Sequence, residues 1–271
     1  MSERALAEVV DLTRTYSGIR VLDEVSLSIS SGITTVIGPN GSGKSTLLGV
    51  LAGAVEPTAG TVRHAHEDSA DGGNDKRIGY LPQRVPFRGE FTARETLGFY
   101  AALVGDDPDA ALADVGLSDA GDRRVAALSG GMRRLLGIAQ ATLGDPSVAV
   151  LDEPTSGLDP EMRERAFRAT AARASDDTAV VVSSHDLDLV DTYADDVIML
   201  DRGRVAVEGS RDRLIDDYGV KDVKDLYRAV VSDRADTGSD IDAGDTDSDD
   251  GTKDRDETAS ESVHVTGVSD R

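Results

Sequence analysis

Residues 38–46 read Gly-Pro-Asn-Gly-Ser-Gly-Lys-Ser-Thr, between one apolar segment at 33–37 and another at 47–51. This context predicts a strand that ends in a glycine-rich turn and restarts as a helix. Such a turn directs several backbone N–H groups, and the positive end of the helix dipole, at one small volume that suits phosphate oxygens. Lys44 is placed to reach the β and γ phosphates of a nucleotide, and the Ser45 hydroxyl to ligate Mg²⁺. The predicted nucleotide contacts are Gly38, Pro39, Asn40, Gly41, Ser42, Gly43, Lys44, Ser45 and Thr46.

The composition bounds the number of domains and the class of partner. The chain has 271 residues, of which 39% are hydrophobic, so we expect one main domain with a good-sized core. The formal net charge is −22, and so acidic a surface repels both nucleic acid phosphates and itself. We therefore predict no nucleic acid partner, and a cytosol rich in counterions, as in a halophile.

Two absences limit where the protein works. The sequence contains no cysteine, which excludes disulfides, thiolate catalysis and cysteine-bound metals together. No stretch approaches the roughly 18 uninterrupted apolar residues that suggest a membrane span. We therefore expect a chain that is soluble by itself, with the cytoplasm as its default location.

The composition changes near residue 232. From there to residue 271 aliphatic side chains nearly vanish, and Asp, Ser, Thr and Gly alternate. Such a segment buries too little apolar surface to fold, so we predict a disordered acidic tail over 232–271 and a nucleotide-binding domain over 1–231. Two interpretations of the tail are open, a solvating appendage or a binding segment. The first is favoured because acidity pervades the whole chain.

Hydrophobic periodicity predicts strands separated by helices. The predicted strands lie at 8–12, 21–29, 33–37, 60–62, 78–81, 148–151, 179–182, 197–201 and 204–208. Helical periodicity dominates between residues 92 and 143, which predicts a helical insertion at about 89–144, and the polar segment 64–75 is a predicted surface loop. We therefore predict an α/β fold: a P-loop NTPase sheet with flanking helices, an N-terminal antiparallel β subdomain and a helical insertion subdomain.

Two carboxylates, Asp152 and Glu153, follow the buried apolar strand predicted at 148–151. In a sheet of this kind, ligands lie at the edge where the strands end. Asp152 is placed there to hold Mg²⁺, directly or through water, and Glu153 to orient or deprotonate an attacking water. A solvated strand end is the alternative. The phosphate loop upstream favours the catalytic interpretation.

A second anion site is indicated by the run Leu128-Ser129-Gly130-Gly131-Met132. Ser129 is a predicted helix N-cap, and Gly130 and Gly131 expose N–H groups at the positive end of that helix. An ordinary helix start is the alternative. Because the helical insertion carries this segment away from the sheet edge, one chain cannot easily bring it to its own phosphate loop. Two chains that face each other head to tail can.

These motifs, in this order, resemble those of the ATP-binding subunit of an ABC transporter, and the resemblance covers residues 8–228. It implies that 38–46 is the phosphate loop for ATP, that 128–132 is the signature motif, and that Asp152 and Glu153 are the magnesium and catalytic carboxylates. It also implies that Lys44 stabilises charge on the transferred phosphoryl group. Residues 1–231 are then an ABC-type ATP-binding domain.

Four further positions match motifs of that family. Gln83 resembles the coupling glutamine, which touches the metal and the membrane subunit, and Asp159 lies in a segment that resembles the loop between the two active sites. His185 resembles the switch histidine that contacts the γ-phosphate. Tyr16 resembles the aromatic residue on which adenine stacks. Taken singly, Gln83, His185 and Tyr16 have ordinary alternatives, as a loop residue, a surface histidine and a core or surface filler.

Two positions depart from the commonest family pattern, since Met132 replaces a glutamine and Gly157 replaces an alanine. Neither change removes Ser129, the glycine pair or Asp159. The methionine followed by two arginines, and the segment 92–97, resemble the exporters of drugs, polysaccharides and nodulation factors. The direction of transport is therefore expected to be export.

The resemblance implies a mechanism and two partners. ATP with Mg²⁺ joins two ATP-binding subunits, as a homodimer or a heterodimer with a paralogue, and an integral-membrane permease supplies the pathway. The chain then lies at the cytoplasmic face of the membrane as a peripheral subunit. A soluble ATPase of the same superfamily that acts on DNA or ribosomes is the alternative, but the chain has neither two ATPase modules nor a long coiled coil. An inert nucleotide binder is a third possibility, and the intact Glu153 and His185 oppose it.

Overall fold

The structure is a computed structural model, and it describes residues 5–65 and 78–237, with side chains to residue 232. In this part of the chain the strands are β1 (Ala7–Tyr16), β2 (Ile19–Ile29), β3 (Gly32–Ile37), β4 (Ala59–His64), β5 (Ile78–Leu81), β6 (Val148–Leu151), β7 (Ala179–Ser183), β8 (Asp196–Asp201) and β9 (Arg204–Ser210). The helices are α1 (Lys44–Leu51), α2 (Ala93–Val104), α3 (Pro108–Asp114), α4 (Gly130–Ala141), α5 (Pro160–Ala171), α6 (Leu187–Tyr193), α7 (Arg211–Tyr218) and α8 (Val223–Thr237). Most of the surface loop predicted at 64–75 lies outside the described residues.

The described strands form two sheets, and they confirm the predicted fold class. The larger sheet has the order β5-β6-β7-β3-β8-β9, in which every neighbouring pair is parallel except the β8–β9 hairpin. The smaller sheet, β2-β1-β4, is antiparallel. Strands β6 and β7 are fully buried along their length, as expected for central strands covered on both faces.

Alternate residues of the central strands enter two different cores. In β6, Val148 and Val150 pack with the antiparallel sheet and α1, whereas Ala149 and Leu151 pack with the helices of the insertion and α5. This division follows from the two-residue period of a strand. The main sheet is therefore the middle layer, with the antiparallel sheet and α1 on one face and α2 to α5 on the other.

The helical insertion lies between β5 and β6 and consists of α2, α3, two short 3₁₀ turns and α4. Helix α2 begins with a capping box, in which the Thr92 hydroxyl accepts from the Glu95 N–H and the Glu95 carboxylate accepts from the Thr92 N–H. These two bonds satisfy N–H groups that the first turn leaves without helical partners. The helical periodicity predicted between residues 92 and 143 is present in α2, where Leu97 and Ala101 are fully buried.

The C-terminal helix α8 packs its apolar side chains Val223, Leu226 and Val230 against α6, α7 and the β8–β9 hairpin. The helix continues to Thr237, six residues past the tail boundary predicted at 231, because an anchored helix can extend over polar residues of adequate helix propensity. Residues 238–271 lie outside the described residues. Among the described helices, none has the length and apolar character needed to cross a bilayer.

Gly79 sets the contact between β5 and the end of α4. A Cβ at this position would lie 1.7 Å from the Ala141 carbonyl oxygen and 3.2 Å from Pro146 Cγ. Since a backbone carbonyl cannot swing aside as a flexible side chain can, we expect Gly79→Ala to lower the free energy of unfolding by about 3 kcal/mol. Urea unfolding at one fixed, high salt concentration measures this loss.

The matched control is Gly98→Ala in α2, where an added Cβ meets nothing within 4 Å. Alanine is the better helix former, so this variant should raise the free energy of unfolding by about 0.5–1 kcal/mol. Equal stability of the two variants would contradict the tight packing of α4 on β5.

Candidate active site

The phosphate loop connects β3 to α1 as predicted. Gly43 is the N-cap of α1, and it offers no side-chain hydrogen bond to the first N–H groups of the helix. Asn40, Gly41 and Ser45 are exposed, and a Cβ on Gly41, whose φ is +80°, would meet nothing within 4 Å. The outer side of the loop is therefore open, and behind it lie the first N–H groups of α1, for which a helix provides no internal acceptors.

Gly38 is required by the packing of the loop rather than by its open side. Its φ is +148°, and a Cβ would lie 2.1 Å from the Leu200 carbonyl oxygen at the end of β8. Only glycine combines this backbone conformation with so close an approach. The neighbouring strand thus positions the start of the loop.

Lys44, the first residue of α1, is only 6% exposed. Its Nζ donates to the carbonyl oxygens of Gly38, at 2.8 Å, and Pro39, at 3.0 Å. Burial lowers the pKa of the Lys44 amine, and the nearby charges of Glu153 and Asp152 act in the opposite direction. The amine therefore lies against its own loop, close to both predicted carboxylates.

The end of β6 is held by a hydroxyl from the neighbouring strand. Asp152 is 2% exposed, and its Oδ1 accepts a 2.7 Å hydrogen bond from Ser183 Oγ. The same oxygen of Ser183 accepts from the Glu153 N–H at 2.8 Å. Glu153 has a φ of +49°, in the left-handed region that non-glycine residues rarely occupy. Ser183 thus supports a sharp turn that separates the two carboxylates.

The Glu153 carboxylate is the meeting point of three predicted site residues. Its Oε1 lies 2.9 Å from His185 Nε2, and its Oε2 accepts from Gln83 Nε2 at 3.2 Å. The three residues follow β5, β6 and β7, which are adjacent parallel strands, so their carboxyl ends meet at one sheet edge. A cavity of about 460 Å³ opens there, lined by Glu153, Ser156, Gly157 and His185 among others.

The oxygen ligands predicted for magnesium are suited to that ion. Ser45 offers a hydroxyl, Gln83 an amide oxygen and Asp152 a carboxylate, and Mg²⁺ prefers oxygen donors. The Gln83 amide donates through its nitrogen to Glu153, so its oxygen is on the other side of the group. Within residues 5–65 and 78–237, no group of three or more His, Cys, Asp or Glu side chains could hold a metal ion. The donor set fits a cation that nucleotide phosphates help to bind.

The signature segment forms a helix start, as predicted. Ser129 caps α4, and its Oγ accepts from the Met132 N–H at 3.2 Å. Gly131 packs closely on Met162 of α5, and Asp159 caps α5 by accepting from the Met162 N–H at 2.9 Å. Over the described residues, no hydrogen bond links this segment to the phosphate loop. The structure therefore places Ser129 and Asp159 at the starts of two helices, α4 and α5, that pack on each other.

Tyr16 is the last residue of β1, and it is 40% exposed. The Arg14 guanidinium carbon lies 4.3 Å from the centroid of the Tyr16 ring, over one face. This geometry is a cation–π contact. The other face remains a predicted surface for adenine.

Two residues of the site were not among those predicted from the sequence. Ser183 is the last residue of β7, but nothing in the sequence marks this serine as a bridge between Asp152 and Glu153. Arg134 lies in the second turn of α4, where it is 8% exposed. The clue in the sequence was that Arg134 is a charged residue directly before the apolar Leu135 and Leu136 in a predicted helix.

The chain is similar in sequence to ATP-binding proteins of transport systems. The pattern of the family described as ABC transporter matches residues 22–156. A cobalamin import ATP-binding protein of Halobacterium salinarum is 35% identical over 242 residues, which cover 84% of this chain and 61% of that relative. A Nod factor export ATP-binding protein of Mesorhizobium japonicum is 34% identical over 80% of this chain and 66% of the relative. A daunorubicin/doxorubicin resistance ATP-binding protein of Streptomyces peucetius is 34% identical over 78% of this chain and 67% of the relative.

Solved structures are similar to the chain over most of the described residues. An ATP-binding subunit of an ABC transporter superposes with a TM-score of 0.73 at 26% identity, over 83% of this chain and 99% of that subunit. A dimeric ATP-binding cassette in a post-hydrolysis state, bound to ADP and Pi, superposes with a TM-score of 0.64 at 25% identity, over 75% of this chain and 98% of the cassette. Both likenesses extend over nearly the whole length of the solved chain.

Proposed function

The chain belongs to the ABC transporter family of ATP-binding proteins, and on that premise we propose that it hydrolyses ATP to drive transport through a separate membrane permease. The observation that carries the proposal is the grouping of Gln83 and His185 around the Glu153 carboxylate. This grouping stands beside the buried Asp152 and within electrostatic reach of Lys44. A nucleotide on the phosphate loop would place its terminal phosphate among charges of both signs.

The phosphate loop and Lys44 are proposed to bind the triphosphate. The N–H groups at the start of α1 donate to phosphate oxygens, and the Lys44 amine exchanges its two carbonyl contacts for the β and γ phosphates. Ser45, Gln83 and Asp152 would hold Mg²⁺, which when bound supplies positive charge against the charge that develops on the phosphoryl group. Tyr16 is proposed to stack on adenine through the ring face opposite Arg14.

Glu153 is proposed to prepare the attacking water. Its carboxylate can accept the water proton at the oxygen that faces the terminal phosphate, while Gln83 and His185 fix the orientation of the group. The fixed carboxylate favours an in-line approach, because the reacting water then loses little orientational freedom in the transition state. His185 is proposed to contact the γ-phosphate as well.

Two subunits are proposed to share each ATP, as a homodimer or a heterodimer with a paralogue. The support is the position of Ser129, Gly130 and Gly131 at the start of α4, a segment that no described hydrogen bond joins to the phosphate loop of its own chain. A head-to-tail partner can present this helix start to the γ-phosphate. Asp159, at the start of the adjacent α5, is then placed near the contact between subunits. The relative bound to ADP and Pi is itself dimeric.

The permease is proposed to dock on the helical insertion, with the chain as a peripheral subunit at the cytoplasmic face. Phe99 and Leu103 lie four residues apart on α2, and each is 63% exposed. Such a pair forms an apolar patch on one helix face. Export is the narrower proposal. Relatives named for import and for export are similarly identical to the chain, so its support is the exporter-like run Met132-Arg133-Arg134.

The test is an ATPase assay of the purified chain at high salt with Mg²⁺, joined to a pull-down of tagged chain from native membranes. We expect Mg²⁺-dependent turnover and a copurifying polytopic membrane protein. Because so acidic a chain needs counterions to fold compactly, low-salt controls check that activity follows folding. Ribosomal or DNA-bound partners alone would contradict the transporter role and favour a soluble ATPase.

Removing residues 238–271 should leave the ATPase rate within about twofold of the full chain. None of the predicted site residues lies in this segment, and an acidic tail is proposed to act as a solvating appendage. The comparison is made at the same high salt concentration. A collapse of the rate would show that the tail takes part in nucleotide turnover.

A further inference from the structure

Arg134 is a buried cation whose hydrogen bonds all go to backbone carbonyls. Its Nη1 donates to Pro82 O and Gln83 O, each at 3.0 Å. Its Nη2 donates to Glu153 O at 2.7 Å and to Asp152 O. The guanidinium therefore binds four backbone carbonyls, two consecutive ones on each of two separate loops.

These two loops carry the catalytic side chains. One follows β5 and bears Gln83, and the other follows β6 and bears Glu153. The strands are adjacent and parallel, but their pairing ends at Leu81 and Leu151, and one further backbone bond, from the Asp152 N–H to Leu81 O, continues it. Beyond that bond, the described hydrogen bonds between the loops are the one from Gln83 Nε2 to Glu153 Oε2 and the four that Arg134 donates to backbone carbonyls on both loops.

Arginine is the side chain whose geometry permits this arrangement. A planar guanidinium presents a fork of N–H groups, so its two terminal nitrogens can each serve a different pair of acceptors, whereas lysine is a compact point charge. Burying such a cation is costly. Burial lowers the pKa of the Arg134 guanidinium, and the nearby charges of Asp152 and Glu153 act in the opposite direction. The burial of this cation therefore indicates a structural role for its hydrogen bonds.

We propose that Arg134 is a positioning residue: it sets the spacing of the Gln83 and Glu153 loops so that the Gln83 amide meets the Glu153 carboxylate. The inference rests on the proposed function and adds a residue to it. The position of Arg134 also connects the start of α4 with the Glu153 carboxylate. Arg134 lies on α4, the helix that begins at Gly130, so a shift of this helix start would move the catalytic carboxylate of the same chain.

Arg134→Lys tests the inference. We expect kcat to fall roughly 10- to 100-fold, since small misplacements of catalytic groups cost factors of this size. The Kd for ATP should stay within about twofold, because the phosphate loop is not touched. Arg133→Lys makes the same chemical change one position earlier, at an exposed residue, and should leave kcat unchanged.

A second measurement needs no nucleotide. The chain contains four histidines, so the imidazole NMR signals are few, and His185→Gln identifies the signal of His185. Because His185 contacts the Glu153 carboxylate, we expect Arg134→Lys to move the His185 signal and Arg133→Lys to leave it in place. If Arg134→Lys does not fold, the neutral Arg134→Gln removes the buried charge and keeps donors for one loop. Its kcat should fall below that of the unaltered chain, and its His185 signal should be displaced.

The outcomes separate this inference from the proposed function. A folded Arg134 variant with the kcat of the unaltered chain, or with an unmoved His185 signal, overturns the positioning role. If the unaltered chain hydrolyses no ATP, the proposed function fails. The His185 signal alone then decides whether Arg134 positions Glu153.

Discussion

Replacing Lys44 with alanine is expected to weaken ATP binding strongly and to abolish turnover. The variant removes the amine that is proposed to reach the β and γ phosphates, and it leaves the loop backbone as the remaining phosphate donor. Charge-assisted hydrogen bonds contribute about 1.5–3 kcal/mol each, so the loss of two predicts a Kd for ATP that rises roughly 100-fold or more. Titration with a fluorescent ATP analogue measures Kd, and phosphate release measures turnover.

Two controls make the Lys44 result specific. Lys221→Ala removes a lysine whose side chain is 75% exposed beside Asp222 and Asp225, and it should leave both quantities unchanged. Circular dichroism should show that the Lys44 variant is folded, since its amine also donates to Gly38 O and Pro39 O. Near-normal turnover in a folded Lys44→Ala protein would remove the phosphate-loop assignment.

Replacing Glu153 with glutamine is expected to stop hydrolysis while ATP stays bound. Glutamine has the shape of glutamate and retains one acceptor oxygen, so contact with Gln83 or His185 persists, but an amide cannot take the proton of the attacking water. General-base catalysis supplies roughly 10²- to 10⁴-fold in rate, and we expect kcat to fall by that factor. Because ATP is then not consumed, the proposed dimer should accumulate on size exclusion at saturating ATP and Mg²⁺.

Glu56→Gln is the matched control, because this glutamate is exposed after α1. It should hydrolyse ATP normally and show no stabilised dimer. A Glu153→Gln chain that stays monomeric at saturating ATP would count against the shared-nucleotide arrangement. One that keeps normal turnover would rule out Glu153 as the base.

Features whose residues are close in the chain were predictable from the sequence. The phosphate loop is one, because its glycines, its lysine and its flanking strand and helix occur within residues 33–51. The caps at Ser129 and Thr92 are others, since a cap bonds to an N–H three residues away. The boundary of α8 was less predictable, because helix propensity alone does not mark where an anchored helix ends.

The meeting of Gln83, Glu153 and His185 was predictable only through the family resemblance. Gln83 and Glu153 are 70 residues apart in sequence, and Glu153 and His185 are 32 apart. Periodicity places each residue after a strand, but it does not state that β5, β6 and β7 are neighbours. That order is set by the packing of the whole sheet.

The sequence by itself determined the α/β class, the phosphate loop, the helix starts and the acidity of the chain, because each depends on neighbouring residues or on composition. Only the tertiary structure decided which hydroxyl holds Asp152 and what Arg134 does. In the sequence, nothing near Arg134 distinguishes it from an arginine on the surface of a helix. Its four carbonyl partners come from two loops that are distant in sequence. Burial and hydrogen-bond partners of this kind arise only when strands and helices pack together, so they cannot be predicted from the local sequence.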